Sequence, residues 1–190
     1  MLDFLYSIDV FLFRLVNQSI SNPIFDKLFL LITDVKSWLI AYIIIWFVLL
    51  LKGGRMGKIS AVGIIILIVV TDQLSSALLK NVFERLRPCH VLEDINLLVS
   101  CTKSFSFPSS HAVNNFAVAF FFGNLFKKYK SLLIAVAVFV ALSRVYIGIH
   151  YPSDIIAGAL IGGSIGYLFS LLAQRVELFF ISKSEKNKHD

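Results

Sequence analysis

The run Ile155 to Ala173, IIAGALIGGSIGYLFSLLA, carries no charged residue and approaches the roughly 20 apolar residues that cross a bilayer. It is the one stretch of the chain both long and wholly uncharged, and it reads as a membrane span. Four more apolar stretches precede it: Leu132 to Ile149, about His111 to Phe126, Ile59 to about Leu79, and Trp38 to Leu51 with Ile32 to Ser37 leading in. The composition agrees, with 57% hydrophobic and 16% charged residues against roughly 25% charged in a soluble domain. No Pro/Ser-rich linker, low-complexity block or internal repeat divides the 190 residues, so residues 1–190 are expected to form one membrane-embedded domain. The expected fold is all-α, a polytopic bundle of five transmembrane helices, with six as the alternative.

The net charge of +6 could suggest nucleic acid, yet the basic residues fall in short clusters between apolar runs, where they act as a topology signal instead. Lys52, Arg55 and Lys58 form one cluster, Lys127, Lys128 and Lys130 a second, and Arg175, Lys183, Lys186 and Lys188 a third. All three belong in the cytoplasm by the positive-inside rule, including a tail from residue 176 to 190 with its His189. With five spans, Lys80 to Ser110 and the turn His150 to Ser153 then share the extracytoplasmic face of a cell (inner) membrane protein. Residues 1–20 carry acidic groups early and lack a basic start and a small-residue cleavage site, so the N-terminus is expected to remain. Residues 1–36 repeat apolar positions at helical spacing with Asp3, Asp9, Arg14, Asn17, Asp26, Lys27 and Asp34 between them, the pattern of interfacial amphipathic helices. A sixth span over this region is the rival.

Ionisable groups inside spans cost several kcal/mol unless paired or hydrated, so each is a functional candidate. Asp72, Ser76 and Lys80 recur every four residues on the second span, which places Lys80 at its extracytoplasmic end. Arg144 stands six residues before His150, roughly 9 Å along a helix, where an arginine needs an anion or a water-filled cavity. An Asp72–Arg144 ion pair is the structural alternative for Asp72.

Lys80 is followed six residues on by Arg87-Pro88; then come Pro108-Ser109-Ser110-His111 and finally Ser143-Arg144, five residues, His150, three residues, Asp154. This three-part order resembles the type 2 phosphatidic-acid phosphatase superfamily, with Ser110 where that family usually has Gly. The resemblance covers Lys80 to Asp154 by motif and the whole chain by span layout; the apolar spans argue against the family's soluble haloperoxidase branch. It implies that His150 attacks phosphorus, that His111 is the general acid, and that no metal or other cofactor takes part.

The residue types suit that chemistry. Phosphoryl transfer needs positioning and cations around the equatorial oxygens, which Lys80, Arg87 and Arg144 supply, the arginines as planar forks. Ser109 adds a hydroxyl, Ser110 a second, and the start of the third span offers unpaired backbone N–H groups. A neutral imidazole becomes a nucleophile when its other nitrogen donates to a carboxylate, as His150 does to Asp154 in this reading. Pro152 fits the first turn of the fifth helix, putting His150 on a turn and Asp154 just inside the helix. Arg85, His90 and Lys103 read as solvated loop residues with headgroup contact as the alternative. Asn114 and Asn115 support the site or bond between helices. Gly158, Gly162 and Gly166 suit close helix packing. Cys89 and Cys101 share one extracytoplasmic loop, where a disulfide is permitted; His90, Glu93 and Asp94 lack metal-ligand spacing, so no metal site is expected.

The implied substrate is a lipid phosphate or diphosphate drawn from the membrane lipids, with no obligate protein partner evident. Undecaprenyl diphosphate is favoured, since a small enzyme without a large extramembrane domain has little with which to read an elaborate headgroup. Phosphatidylglycerol phosphate, phosphatidate and a lipid A phosphate stay open. The rival functions are a lipid phosphotransferase at the same site and a non-catalytic lipid carrier, which would need the cations but neither His111 nor the His150–Asp154 pair.

Overall fold

A computed structural model describes residues 2–186, and among them it contains helices and loops but no strand. Lys188 and His189 of the basic tail lie outside the described residues. The chain opens with α1 (Leu2–Arg14), prolonged by a π-helical stretch Leu15–Ser19, and α2 (Pro23–Thr33). Asn22 caps α2 by accepting from the backbone N–H groups of Ile24 and Phe25, both at 3.0 Å, and Pro23 fits the first helical position because its missing N–H would be unpaired there anyway. Asp34 then caps α3 (Val35–Lys52). Helix α4 (Gly54–Asp72) runs into a π-helical stretch, Gln73–Leu79, and the last turn α5 (Lys80–Phe83). After the short α6 (Pro88–Val91) and a long loop come α7 (Ser110–Leu125), α8 (Lys130–Tyr146) and α9 (Pro152–Lys186).

Four segments are long and apolar enough to cross a bilayer: Val35–Lys52, Gly54–Val91, Lys127–Tyr146 and Pro152–Ser184. The third expected span is α7, whose 16 residues extend about 24 Å. It is the central helix, with Ala112, Val113, Ala117, Ala119, Phe121 and Gly123 buried against its neighbours, whereas α3 buries no residue. The α7–α9 seam explains the glycines. A Cβ on Gly162 would lie 2.0 Å from the Val113 carbonyl oxygen, and one on Gly166 would lie 2.1 Å from that of Ala117. Only a residue without a side chain lets the two backbones meet so closely.

Helix α1 with its π-helical prolongation carries Asp3, Asp9 and Arg14, and α2 has only 11 residues; neither is among the four segments apolar and long enough to cross, so the six-span alternative finds no support in them. Helix α1 has two faces. Phe4, Leu5 and Phe11 are exposed, while Asp9, Phe13 and Asn17 are buried against the bundle. Phe13 packs with Tyr151 and Val145, and Asn17 donates to the carbonyls of Asn96 (2.8 Å) and Tyr146 (2.6 Å). Its amide oxygen accepts from Asn96 N–H at 2.9 Å. Gly148 sits beneath this join with φ +89°, and an added Cβ would lie 3.0 Å from the Asn96 carbonyl oxygen. The N-terminal helix is thereby locked to the loop before α7 and to the turn that carries His150.

Candidate active site

Helix α8 ends at Tyr146, the chain turns through Gly148, and Pro152 starts α9, so His150 lies in the turn between two packed helices. It is buried, 2% exposed. Its Nδ1 faces Asp154 Oδ2 at 3.3 Å and its Nε2 faces Arg87 Nη1 at 3.2 Å. Guanidinium nitrogens only donate, so Nε2 is the acceptor and the proton resides on Nδ1, toward the carboxylate. The nitrogen with the free lone pair therefore points at the cations. Burial pushes the imidazole well below the ordinary histidine range, to about 3, so it is neutral at physiological pH.

Asp154 is fully buried and every contact around it is a donor. Its Oδ2 accepts from Tyr151 N–H at 2.9 Å and from the Ser106 hydroxyl as well as from His150; its Oδ1 accepts from Arg85 Nη1 at 2.7 Å. The three expected cations lack such a partner: among the described residues, no ion pair involves Lys80, Arg87 or Arg144. Neutral groups hold them. Lys80 Nζ, at the end of the π-helical stretch and 6% exposed, donates to the Phe105 carbonyl at 2.7 Å. Arg87, 5% exposed, donates to the carbonyls of Ser104 (2.8 Å) and Ile149 (3.0 Å) and to Ser104 Oγ (2.9 Å). Arg144 Nη1 donates to Thr33 Oγ1 at the end of α2, 2.6 Å away, and its Nε is buried without a partner. Ser109 Oγ is likewise buried and unpartnered. Buried polar atoms are rarely left orphaned, and cations held only by carbonyls and hydroxyls keep their charge for an anion.

Helix α7 brings His111 to the same end. The Ser109 N–H donates to the Asp154 carbonyl at 3.2 Å, and an added Cβ on Gly158 would lie 3.0 Å from the Ser109 carbonyl oxygen, so the starts of α7 and α9 are packed together. His111 is one residue into α7. Ser110 makes a contact that the sequence did not predict: its hydroxyl lies 3.2 Å from Ser76 Oγ, which bonds Asp72, so it ties α7 to the π-helical stretch.

Asp72 also departs from expectation. It accepts from Ser76 (3.3 Å) and from Asn114 Nδ2 (3.5 Å) and forms no pair with Arg144, whose guanidinium is turned to Thr33 instead. The stretch Gln73–Leu79 between Asp72 and Lys80 is π-helical, so the α-helical period on which a shared face depends is not kept there. Asn115 bonds back to the His111 carbonyl at 2.9 Å. Arg85 is no solvated loop residue: it pairs with both Asp9 (2.6 Å) and Asp154 (2.7 Å) and lies 4.0 Å over the Tyr151 ring. Sequence reasoning missed Asp9, Arg85, Ser106 and Thr33; the one signal for Asp9 was an acid set among apolar residues in α1. Lys103 is exposed, as is His90, whose Nε2 lies 3.0 Å from the Thr102 carbonyl. Cys89 and Cys101 are bonded to each other, their Cα atoms 6.1 Å apart, so the Cys89–His90–Cys101 group has no thiolate to offer a metal.

A helical membrane bundle that gathers unpaired cations around a carboxylate-backed histidine defines a membrane-embedded phosphatase. The chain belongs to the PAP2 superfamily, whose family model matches residues 61–177. It is 33% identical over 184 residues to the lipid A 4'-phosphatase of Bacteroides thetaiotaomicron, covering 93% of this chain and 81% of that one. Among solved structures it is similar to Aquifex aeolicus LpxE, with TM-score 0.70 and 28% identity over 85% of this chain and 94% of that one. The membrane PAP2-type phosphatidylglycerolphosphate phosphatase of Bacillus subtilis follows at TM-score 0.65 and 25% identity, over 91% and 86%.

Proposed function

We propose that the protein hydrolyses a lipid phosphate through a phosphohistidine on His150, with lipid A phosphate as the substrate. The observation that carries the mechanism is the placement of His150 between Asp154 on Nδ1 and Arg87 on Nε2. The Nε2 lone pair attacks phosphorus, the bond from phosphorus to the lipid oxygen breaks, and His111 gives that oxygen a proton. Asp154, accepting from Nδ1–H, stabilises the positive charge that the imidazole gains. Lys80, Arg87, Arg144 and the free Ser109 hydroxyl receive the three peripheral oxygens of the phosphoryl group. Water then attacks the phosphohistidine as His111 accepts its proton, releasing inorganic phosphate and restoring His150. No step in this sequence calls for a metal.

The lipid A assignment rests on the extent of the similarity to the lipid A 4'-phosphatase, which runs along nearly the whole chain. Undecaprenyl diphosphate, favoured by the small extramembrane surface, gains no comparable support. The Cys89–Cys101 bond and the basic clusters at Lys52–Lys58 and Lys127–Lys130 support an extracytoplasmic site, with residues 1–36 at the interface of a single membrane domain and the tail in the cytoplasm.

The test is phosphate release by purified protein across lipid A, undecaprenyl diphosphate, phosphatidylglycerol phosphate and phosphatidate, with and without chelator. Lipid A phosphate is expected to turn over fastest, undiminished by chelator, and His150→Ala is expected to abolish turnover on every substrate. Substantial turnover by His150→Ala, or radiolabel on Ser109 instead of His150 after a rapid acid-free quench, sinks the mechanism. Preference for another lipid sinks only the substrate assignment.

A further inference from the structure

Asp9 enters the site from a helix that the sequence marks only as interfacial. It is buried, 6% exposed, and its carboxylate is fully engaged. Oδ1 accepts from Ser153 N–H at 2.9 Å; Oδ2 accepts from Arg85 Nη2 at 2.6 Å and from the Ser153 hydroxyl. The other arm of the same guanidinium, Nη1, donates to Ser153 Oγ at 2.6 Å and to Asp154 Oδ1 at 2.7 Å. One arginine thus bridges two buried carboxylates, one on α1 and one at the start of α9, while the Tyr151 ring covers its face at 4.0 Å.

This bridge fixes how Asp154 meets the histidine. With Oδ1 held by Arg85, the carboxylate cannot swing without breaking a charge-assisted bond, and Oδ2 stays directed at His150 Nδ1. Asp9 balances the bridge. A guanidinium paired with Asp154 alone would draw on the negative charge that must stabilise the imidazole once it is phosphorylated. A second carboxylate on the opposite arm divides that pull and restores the electron-donating character of Asp154.

We propose that Asp9 and Arg85 are positioning residues for the His150–Asp154 pair, which makes the N-terminal helix a working part of the phosphoryl-transfer site. The proposal rests on the reading of His150 as nucleophile. Neither residue touches the phosphoryl group; both act through Asp154.

Steady-state kinetics of the full-length protein in detergent, with a lipid phosphate as substrate, test it. Asp9→Asn and Arg85→Ala are expected to lower kcat by about 10- to 100-fold, the range seen when outer partners of functional histidines are removed, with KM held within about threefold. Arg85→Lys keeps the charge but not the two-armed fork and is expected to fall between Arg85→Ala and the native enzyme. Methylguanidinium added to Arg85→Ala is expected to restore kcat, because the side chain it replaces is partly accessible. Arg14→Gln removes an exposed charge from the same helix and is expected to leave kcat unchanged. Full kcat in Asp9→Asn, a loss confined to KM, or a loss in Arg85→Ala that methylguanidinium does not restore overturns the proposal. His150→Ala separates the two claims: retained turnover there removes the nucleophile itself, whereas a dead His150→Ala beside a full-rate Asp9→Asn removes only the role of α1.

Discussion

Arg85 and Arg87 leave one loop two residues apart and arrive in opposite surroundings. Arg85 meets two carboxylates and an aromatic face; Arg87 meets carbonyls, a hydroxyl and the lone pair of His150. A cation already neutralised by acids holds structure together and has little attraction left for substrate. A cation solvated only by neutral oxygens keeps its field, and that field is what a phosphoryl group needs. The same division separates the two sides of the site. Asp9, Asp154 and Arg85 form a closed acid-base lattice behind the histidine, while Lys80, Arg87 and Arg144 stand open before it.

The largest effect belongs to the open side. His111→Ala should lower turnover of an alkoxide-leaving lipid phosphate by about 10²–10⁴-fold, the usual worth of general acid–base catalysis, and much less for a nitrophenyl phosphate whose leaving group needs no proton. Equal losses on both substrates would remove His111 from the protonation step. The contrast between the two arginines comes next. Arg87→Ala should cost about 10²–10³-fold in kcat/KM and abolish competitive inhibition by inorganic phosphate, whereas Arg85→Ala should leave that inhibition constant nearly unchanged. Matching losses of phosphate inhibition in both variants would break the distinction between paired and unpaired cations.

A smaller effect probes the seam that joins the two sides. Gly162→Ala sets a Cβ against the Val113 carbonyl, forcing α7 and α9 apart at a cost of about 1–3 kcal/mol, read as a lower midpoint of thermal unfolding in detergent. A midpoint equal to that of the native protein would mean that the helices are not in backbone contact. The smallest effect follows pH. His150 is neutral when folded, because burial lowers its pKa, and takes a proton below about 6.5 when unfolded. The unfolded state then binds more protons, so stability should decline as pH falls from about 6.5 toward the folded value, relative to His150→Gln at the same pH. Parallel pH dependence in the two proteins would show that His150 is not buried in its neutral form.

The part of the site that could be read without coordinates is the part whose chemistry forces a fixed local spacing. His150 and Asp154 are four residues apart across Pro152, and the four-residue repeat of Gly158, Gly162 and Gly166 is one helix stripe, so both were legible in the chain. Lys80 and Arg144 announced themselves because hydrocarbon excludes isolated charge, and Arg87 by the Arg-Pro pair that follows Lys80 in the motif. Asp72 illustrates the limit. Its spacing from Lys80 implied a shared face, but the π-helical turn between them breaks the period on which that inference depends.

By itself, then, the sequence determined a helical membrane bundle with histidines and basic residues gathered at one end, because apolar length and charge exclusion act locally along the chain. Tertiary structure alone decided which cations are neutralised. Asp9 and Arg85 are 76 residues apart, and Thr33 and Arg144 are 111 apart. No periodicity encodes such meetings, since they arise only when α1 and α2 dock against α8 and the start of α9 and bury their polar groups where each must find a partner.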